Sequence, residues 1–351
     1  MQESFEAALQ TLHPPLSCII SDSFLGFTLQ PANRFNVPRF GFFGMGAFSS
    51  TMYGTLDREK PHAAAADLDE AFPMPGFPGI MLTTNDFDPP FNAVAPAGPY
   101  ADFMTEQLAA LAKSRGLIVN TFYEMEQAYV DCWDAKIGPK MYCVGPLWVA
   151  AAAQPPATAP RTAEYFRFLD EKVAEGRPVL YVAFGTQAEV SPEQLKEIAE
   201  GLERSEVSFL WVLKTAAVEF LADFEDRVRE RGIVVREWVD QLEALRHEGE
   251  RGFLSHCGWN SVLEGIDGGV PILAMPFMAE QHLNARLVAE ELGVGLRAMP
   301  RGGSVRGLVA AEEVERAVRE LIGGERGLRR GGGWRSWVRR RAARSRKGGR
   351  R

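Results

Sequence analysis

Short apolar runs alternate with amphipathic helical segments along nearly the whole of this chain, and that alternation leaves few folds open to it. An apolar strand followed by a helix that returns across it builds a parallel sheet with covering helices. In the first part, 17–21, 38–43, 116–120 and 141–144 read as short buried strands, with helices at 24–33, 100–114 and 124–135. The opening MQESFEAALQTL sets Phe5, Leu9 and Leu12 on one helical face, which predicts an amphipathic helix and not a signal peptide. The segment 72–99 is rich in Pro, Gly and Asp without periodicity and reads as a long loop over a cleft. In the second part, strands are expected near 178–183, 207–212, 232–235, 252–255, 270–274 and 293–297. Helices near 191–204, 222–230, 260–268, 281–291 and 310–322 separate them. An Ala/Pro linker at 146–163 divides the two parts, and 351 residues suffice for two domains. The fold expected is therefore α/β: two doubly wound, Rossmann-like domains facing a cleft, spanning 1–145 and 164–323, followed by a tail at 324–351.

The densest chemistry lies in 238–281, WVDQLEALRHEGERGFLSHCGWNSVLEGIDGGVPILAMPFMAEQ. The apolar run Gly252-Phe253-Leu254 ends in Ser255-His256-Cys257-Gly258-Trp259-Asn260-Ser261, and a helical pattern starts at once. A buried strand that ends in a Gly-containing turn and opens a helix is an anion site, because first-turn N–H groups and the helix dipole both favour negative charge. His256, Asn260 and Ser261 add side-chain donors at the same spot. Glu264 lies one turn beyond Asn260 on the same face; a carboxylate there accepts from a pair of sugar hydroxyls. A diphosphate with a ribose beside it fits this arrangement. Gly44-x-Gly46 is half of a dinucleotide fingerprint, without the third Gly or the acidic residue ~20 positions on. That argues against an NAD-dependent oxidoreductase.

The spaced residues W-x-x-Q, H-C-G-W-N-S, the following Glu, G-V-P and the terminal acidic-Gln pair resemble the donor-binding motif of plant UDP-glycosyltransferases that act on small acceptors. Pro178–Thr186 (PVLYVAFGT), Gln194-Leu195 and Phe209-Leu210-Trp211-Val212 are similar to the start of that family's C-terminal domain, and Cys18–Asp22 and Gly145-Pro146 to parts of its N-terminal domain and linker. The resemblance runs from about residue 5 to about residue 323 and implies the GT-B fold. It implies that Trp238 offers its indole to uracil, with the backbone of Val239 on the uracil edge; read alone, a Trp is by default a core aromatic. Val239-Asp240 replaces the Ala-Pro common at this point. Gln241 and Glu264 would hold the ribose, and His256, Gly258, Asn260 and Ser261 the phosphates. Gly185-Thr186 is either a further phosphate contact or a plain turn. Glu280 and Gln281 would hold the outer hydroxyls of the sugar, and a Gln in the last place goes with glucose. Trp259 would pack near the sugar and keep the turn rigid. His247 reads as structural and Cys257 as small buried packing.

The acceptor half is sparser. Transfer to a hydroxyl needs a general base, which in this family is a His near the N-terminus oriented by an Asp. Asp22, at the end of an expected strand, matches that Asp, and it could equally cap a helix at Phe24. His13 stands in an LHPP turn and does not take the base role. The His partner is expected on a strand absent from this sequence, so the N-terminal domain is expected to be incomplete. The implied activity is inverting transfer of glucose from UDP-glucose to a hydroxyl of a small plant metabolite such as a flavonoid or phenolic, with no metal and no cofactor. The alternative is a UDP-sugar-binding chain with little turnover.

Composition narrows the setting. Cys18, Cys132, Cys143 and Cys257 are widely spaced without a C-x-x-C pair, which argues against a disulfide framework or zinc site and for the cytoplasm. No apolar stretch approaches the ~20 residues of a membrane span. Residues 324–351 hold twelve Arg or Lys against Glu325, whereas the whole chain carries −7. A basic tail on an acidic body is compatible with nucleic-acid or membrane contact. Without aliphatic periodicity, this one reads as a disordered segment, and the expected state is a monomer with no nucleic-acid partner.

Overall fold

The computed structural model describes residues 2–148, 164–214 and 220–324. They fall into two compact units, Met1–Gln154 and Pro155–Arg351. Most of the linker at 146–163 and nearly all of the tail at 324–351 lie outside the described residues. Among the described residues, no helix is long and apolar enough to cross a membrane.

The first unit contains α1 (Gln2–Gln10), β1 (Ile19–Asp22), α2 (Leu29–Arg34), β2 (Arg39–Phe43), α3 (Ala47–Glu59), β3 (Phe72–Met74), β4 (Phe77–Leu82), α4 (Pro99–Ala112), β5 (Gly116–Val119), α5 (Tyr123–Lys136) and β6 (Met141–Cys143). Strands β1-β2-β5-β6 form one parallel sheet in that order. The helix expected from Phe24 begins later, as a 3-10 turn at Gly26–Thr28 that leads into α2. The long loop expected at 72–99 is corrected: β3 and β4 pair as an antiparallel hairpin, and a 3-10 turn follows at Thr84–Asp86. Phe72, Met74, Ile80 and Leu82 are its buried residues, an alternation that Pro73, Pro75 and Pro78 obscure in the sequence. Two strands outside the main sheet can carry such prolines because few of their N–H groups are needed in a ladder.

Helix α3 was not foreseen, because its buried face includes Ser49, Ser50 and Thr51. Their burial is compatible with hydrogen bonding: the Ser50 hydroxyl donates to the Gly46 carbonyl (2.8 Å) and that of Thr51 to the Tyr129 carbonyl (3.0 Å). The Gly44-x-Gly46 turn feeds this helix, and the helix start is already filled. Glu126 of α5, fully buried, accepts the Phe48 N–H at 2.7 Å through one carboxyl oxygen, while the other bonds the Thr121 hydroxyl. Burial raises the carboxyl pKa, and hydrogen bonds from Thr121 and from the backbone at Phe48 and Ala47 oppose that rise. The start of α3 is thus capped by a side chain of α5.

The second unit contains α6 (Glu164–Ala174), β7 (Val179–Ala183), α7 (Pro192–Ser205), β8 (Ser208–Val212), α8 (Leu221–Val228), β9 (Gly232–Val235), α9 (Gln241–Arg246), β10 (Glu250–Ser255), α10 (Trp259–Gly268), β11 (Ile272–Ala274), α11 (Gln281–Arg286), β12 (Gly295–Arg297) and α12 (Ala311–Gly323). Its six strands form a parallel sheet in the order β12-β11-β10-β7-β8-β9. All six expected strands are present. Helices α6 and α9 are additional, and the helix expected at 281–291 changes to a π turn after Arg286. Strand β7 is buried throughout, as a central parallel strand must be. Leu180, Val182, Phe209, Trp211, Leu254 and Leu273 carry the core, which α7 and α12 cover. The chain winds outward from β7 through β8 to β9, then restarts at β10 on the opposite side. The topological switch point therefore lies between β7 and β10, and ligands of such sheets bind beyond the carboxyl ends of the strands there.

Candidate functional site

At the switch point, β7 runs into Gly185-Thr186 and β10 into His256-Cys257-Gly258. These two turns meet at one imidazole. A Cβ built on Gly185 would lie 2.8 Å from His256 Nε2, and one built on Gly258 would lie 2.5 Å from it. Both positions therefore need glycine if the ring is to stay. Gly185 also has φ +73°, a conformation that costs a residue with a Cβ. Gly258 is the N-cap of α10 and offers no side-chain cap. By contrast, Ser191 caps α7 and Asp240 caps α9 with side-chain oxygens at 3.2 Å from the N–H of Gln194 and Glu243. The residue that opens α10 thus brings no capping side chain, the kind of helix start that suits an anion.

His256 is nine-tenths buried, and its Nδ1 has no hydrogen-bond partner. Burial lowers its pKa from 6.5 to about 4, with the Ala183 carbonyl opposing that fall, so the ring is neutral near pH 7. The unfolded chain takes up a proton near pH 6.5 that the folded site refuses until about pH 4. The stability contributed by the neutral ring is complete above pH 6.5 and is lost as pH falls through that window, by about 2 kcal/mol at pH 5. His256→Gln is expected to lose that much less stability than the parent between pH 7.5 and 5.0 in urea unfolding; identical acid sensitivity would refute this account.

The next residues form a polar patch around α10. The Gln241 side-chain amide donates to Ser261 Oγ (3.0 Å) and to the Glu264 carboxylate. Burial raises the Glu264 pKa, and the Gln241 bond opposes that rise. Three of the expected ligand residues are therefore already bonded to one another. Trp238 is 63% exposed and not a core aromatic, whereas Val239 is buried. Asp240, unexpected at its position, is the α9 N-cap. Asn260 and Thr186 are exposed. Trp259 is buried at 2% exposure, which agrees with the part of its expected role that keeps the turn rigid. Cys257 is fully buried, and burial raises its thiol pKa, which excludes a nucleophilic role. His247 is held by Asp170 (3.1 Å) and by the Gly249 N–H (3.2 Å), a structural setting.

Glu280 is the N-cap of α11. Gln281 is buried, and its Oε1 accepts the N–H groups of Phe277 (3.0 Å) and Met278 (3.2 Å). Its carbonyl fixes its own loop, so only the amide NH₂ is left for a ligand. Asn284, which the sequence reading passed over, reaches from α11 to the Cys257 carbonyl. Its place one turn beyond Glu280 was the available signal.

In the first unit, Asp22 is exposed at the end of β1, and its Oδ1 accepts the Phe24 N–H at 2.8 Å. The bond closes a local turn and does not cap a helix at Phe24, since the 3-10 turn begins at Gly26 with Leu25 at its N-cap. Arg39, 2% exposed and also missed in the sequence, anchors that turn. Its guanidinium donates to Thr28 Oγ1 (3.0 Å), Ser114 Oγ (2.7 Å) and, more weakly, the carbonyls of Asp22 and Leu25 (3.4 and 3.5 Å).

Residues 132–326 match the family model described as UDP-glucoronosyl and UDP-glucosyl transferase. The chain belongs to the UDP-glycosyltransferase family. UDP-glycosyltransferase 90A1 of Arabidopsis thaliana is 44% identical over 332 residues, covering 93% of this chain and 68% of that protein. Among solved structures, Glycyrrhiza uralensis UGT73P12, complexed with glycyrrhetinic acid 3-O-monoglucuronide, aligns with a TM-score of 0.86 at 26% identity over 96% of this chain and 71% of that one. Phytolacca americana UGT2, complexed with UDP-2-fluoro-glucose and pterostilbene, aligns with a TM-score of 0.79 at 30% identity over 96% and 73%. The parallel α/β units of this UDP-glycosyltransferase agree with the GT-B expectation.

Proposed function

We propose that this chain binds UDP-glucose and transfers glucose, with inversion, to a hydroxyl of a small plant metabolite. The observation that carries the reading is the start of α10 at the switch point, where the His256 imidazole packs against two glycines, Gly185 and Gly258, that leave no room for a Cβ. In this reading the diphosphate lies on that turn and on His256, Asn260, Ser261 and Thr186. Uracil stacks on Trp238 and bonds the backbone of Val239, Gln241 and Glu264 take the ribose, and Glu280 with the Gln281 amide takes the sugar hydroxyls. The acceptor oxygen forms its bond to the anomeric carbon as the bond from that carbon to the β-phosphate oxygen breaks. The α10 N-terminus stabilises the charge on departing UDP, and the acceptor proton passes to a general base. No metal enters this chemistry. The complex of the Phytolacca americana relative with UDP-2-fluoro-glucose and pterostilbene supports a glucose donor and a small phenolic acceptor.

A second reading, donor binding with little turnover, is favoured by one observation. The hydrogen bond of the Asp22 carboxylate goes to a backbone N–H, and among the described residues no histidine is bonded to it. Without a positioned base, transfer falls by about 10²–10⁴.

One experiment separates the readings: UDP titration by calorimetry, then turnover with UDP-glucose and a panel of phenolic acceptors. Glu264→Ala is expected to weaken UDP about tenfold, the loss of a charge-assisted bond to ribose. Unchanged affinity in that variant would remove Glu264 from the site. Binding with turnover that Asp22→Ala abolishes would favour the transferase reading, and binding without turnover the second.

A further inference from the structure

We infer that Asn284 is a positioning residue that ties the phosphate turn to the sugar-hydroxyl pair; this rests on the donor-site reading above. Cys257, at the centre of the phosphate turn, has φ +62°, a left-handed conformation that disfavours any residue with a Cβ. Such a conformation persists only where the surroundings over-determine it. Here the backbone is gripped from both sides. The Cys257 N–H donates to Ser255 Oγ at 3.1 Å, and its carbonyl accepts from Asn284 Nδ2 at 2.9 Å. Asn284 is fully buried on α11, 27 positions from Cys257 in the sequence. The same Nδ2 also lies 3.4 Å from Glu280 Oε1.

One NH₂ group therefore faces two oxygens with different duties. The Cys257 carbonyl sets the direction in which Gly258 and the α10 N-terminus point. The Glu280 carboxylate is the group assigned to the sugar. Removing the NH₂ takes a donor from both oxygens at once, so phosphate and sugar recognition weaken together.

The test is calorimetry with UDP and with UDP-glucose on the full chain, comparing Asn284→Ala, Asn284→Asp and Ser205→Ala. Ser205 is a buried residue of the same unit, bonded to the Leu202 carbonyl and the Val207 N–H, and serves as a control for destabilisation alone. Asn284→Ala is expected to bind UDP about tenfold more weakly and to lose any extra affinity the parent shows for UDP-glucose over UDP. Ser205→Ala should bind as the parent does despite a lower Tm. Asn284→Asp puts an oxygen where the NH₂ was. It should bind poorly at pH 8 and recover relative to the parent toward pH 5.5, as the protonated acid regains a donor. Binding of both ligands by Asn284→Ala within twofold of the parent would overturn the role, as would an equal loss in Ser205→Ala. Absence of UDP binding in the parent would overturn the donor-site reading and this role together.

Discussion

Replacing Glu126 by alanine is expected to destabilise the first unit by about 3–5 kcal/mol. The carboxyl group lies in the interior between α5 and the start of α3, where it accepts the Phe48 N–H and bonds the Thr121 hydroxyl. First-turn N–H groups have no intrahelical acceptor, so removing the carboxyl strands donors that no solvent reaches. Each stranded group costs about 1–3 kcal/mol, and the space left by the side chain adds to that cost. Glu126→Gln keeps an acceptor for Phe48 and offers an amide to Thr121 Oγ, so it should cost far less. The pH dependence follows from burial raising the Glu126 pKa in the folded unit. The protonated acid favours folding fully below the unfolded value, and that contribution is lost as pH rises through the folded one. Native-state hydrogen exchange at α3 amides reads the effect on this unit directly. Protection in Glu126→Ala within about 1 kcal/mol of the parent would show that the helix start is satisfied by other means.

Gly258→Ala is expected to weaken UDP binding about 10- to 150-fold while leaving the fold nearly as stable as before. The backbone at Gly258, φ −56° and ψ 141°, suits alanine well. The single consequence of the methyl group is its 2.5 Å approach to His256 Nε2, which drives the imidazole off the phosphate turn. Losing a hydrogen bond to a charged ligand costs about 1.5–3 kcal/mol, which corresponds to that range of affinity. The equivalent change at Gly185 is less clean, because its positive φ adds strain. Titration with UDP, alongside a melting curve, decides the matter. Parent-like affinity in Gly258→Ala would mean that His256 is not where the phosphate binds.

What the sequence made legible follows the range of the interactions concerned. The strands of the second unit stand out because parallel strands buried on both faces are nearly uninterrupted apolar runs, such as Val179–Ala183 and Ser208–Val212. Helix α3 was hidden because its buried side is built partly of hydroxyl residues that find local carbonyls, so hydrophobic periodicity fails as a signal. The hairpin at 72–82 was hidden by its prolines. Helix α9 is only six residues long and depends on a cap, Asp240, at a position where the motif resemblance suggested proline. At the site, the chemical types were legible from the spacing of His256, Asn260, Ser261 and Glu264. Their mutual engagement was not, since Gln241 meets Ser261 and Glu264 only once α9 and α10 are folded side by side. Asn284 and Glu126 act across even greater sequence distances, on groups that no local pattern connects.

The filled start of α3 has a consequence for ligand selectivity. A carboxylate fixed by the fold competes for those amides as an intramolecular ligand, at an effective concentration that free phosphate in solution does not approach. The first unit thus satisfies this helix start from within its own fold. An anion reaching the start of α3 would have to displace Glu126 before it could meet the Phe48 N–H.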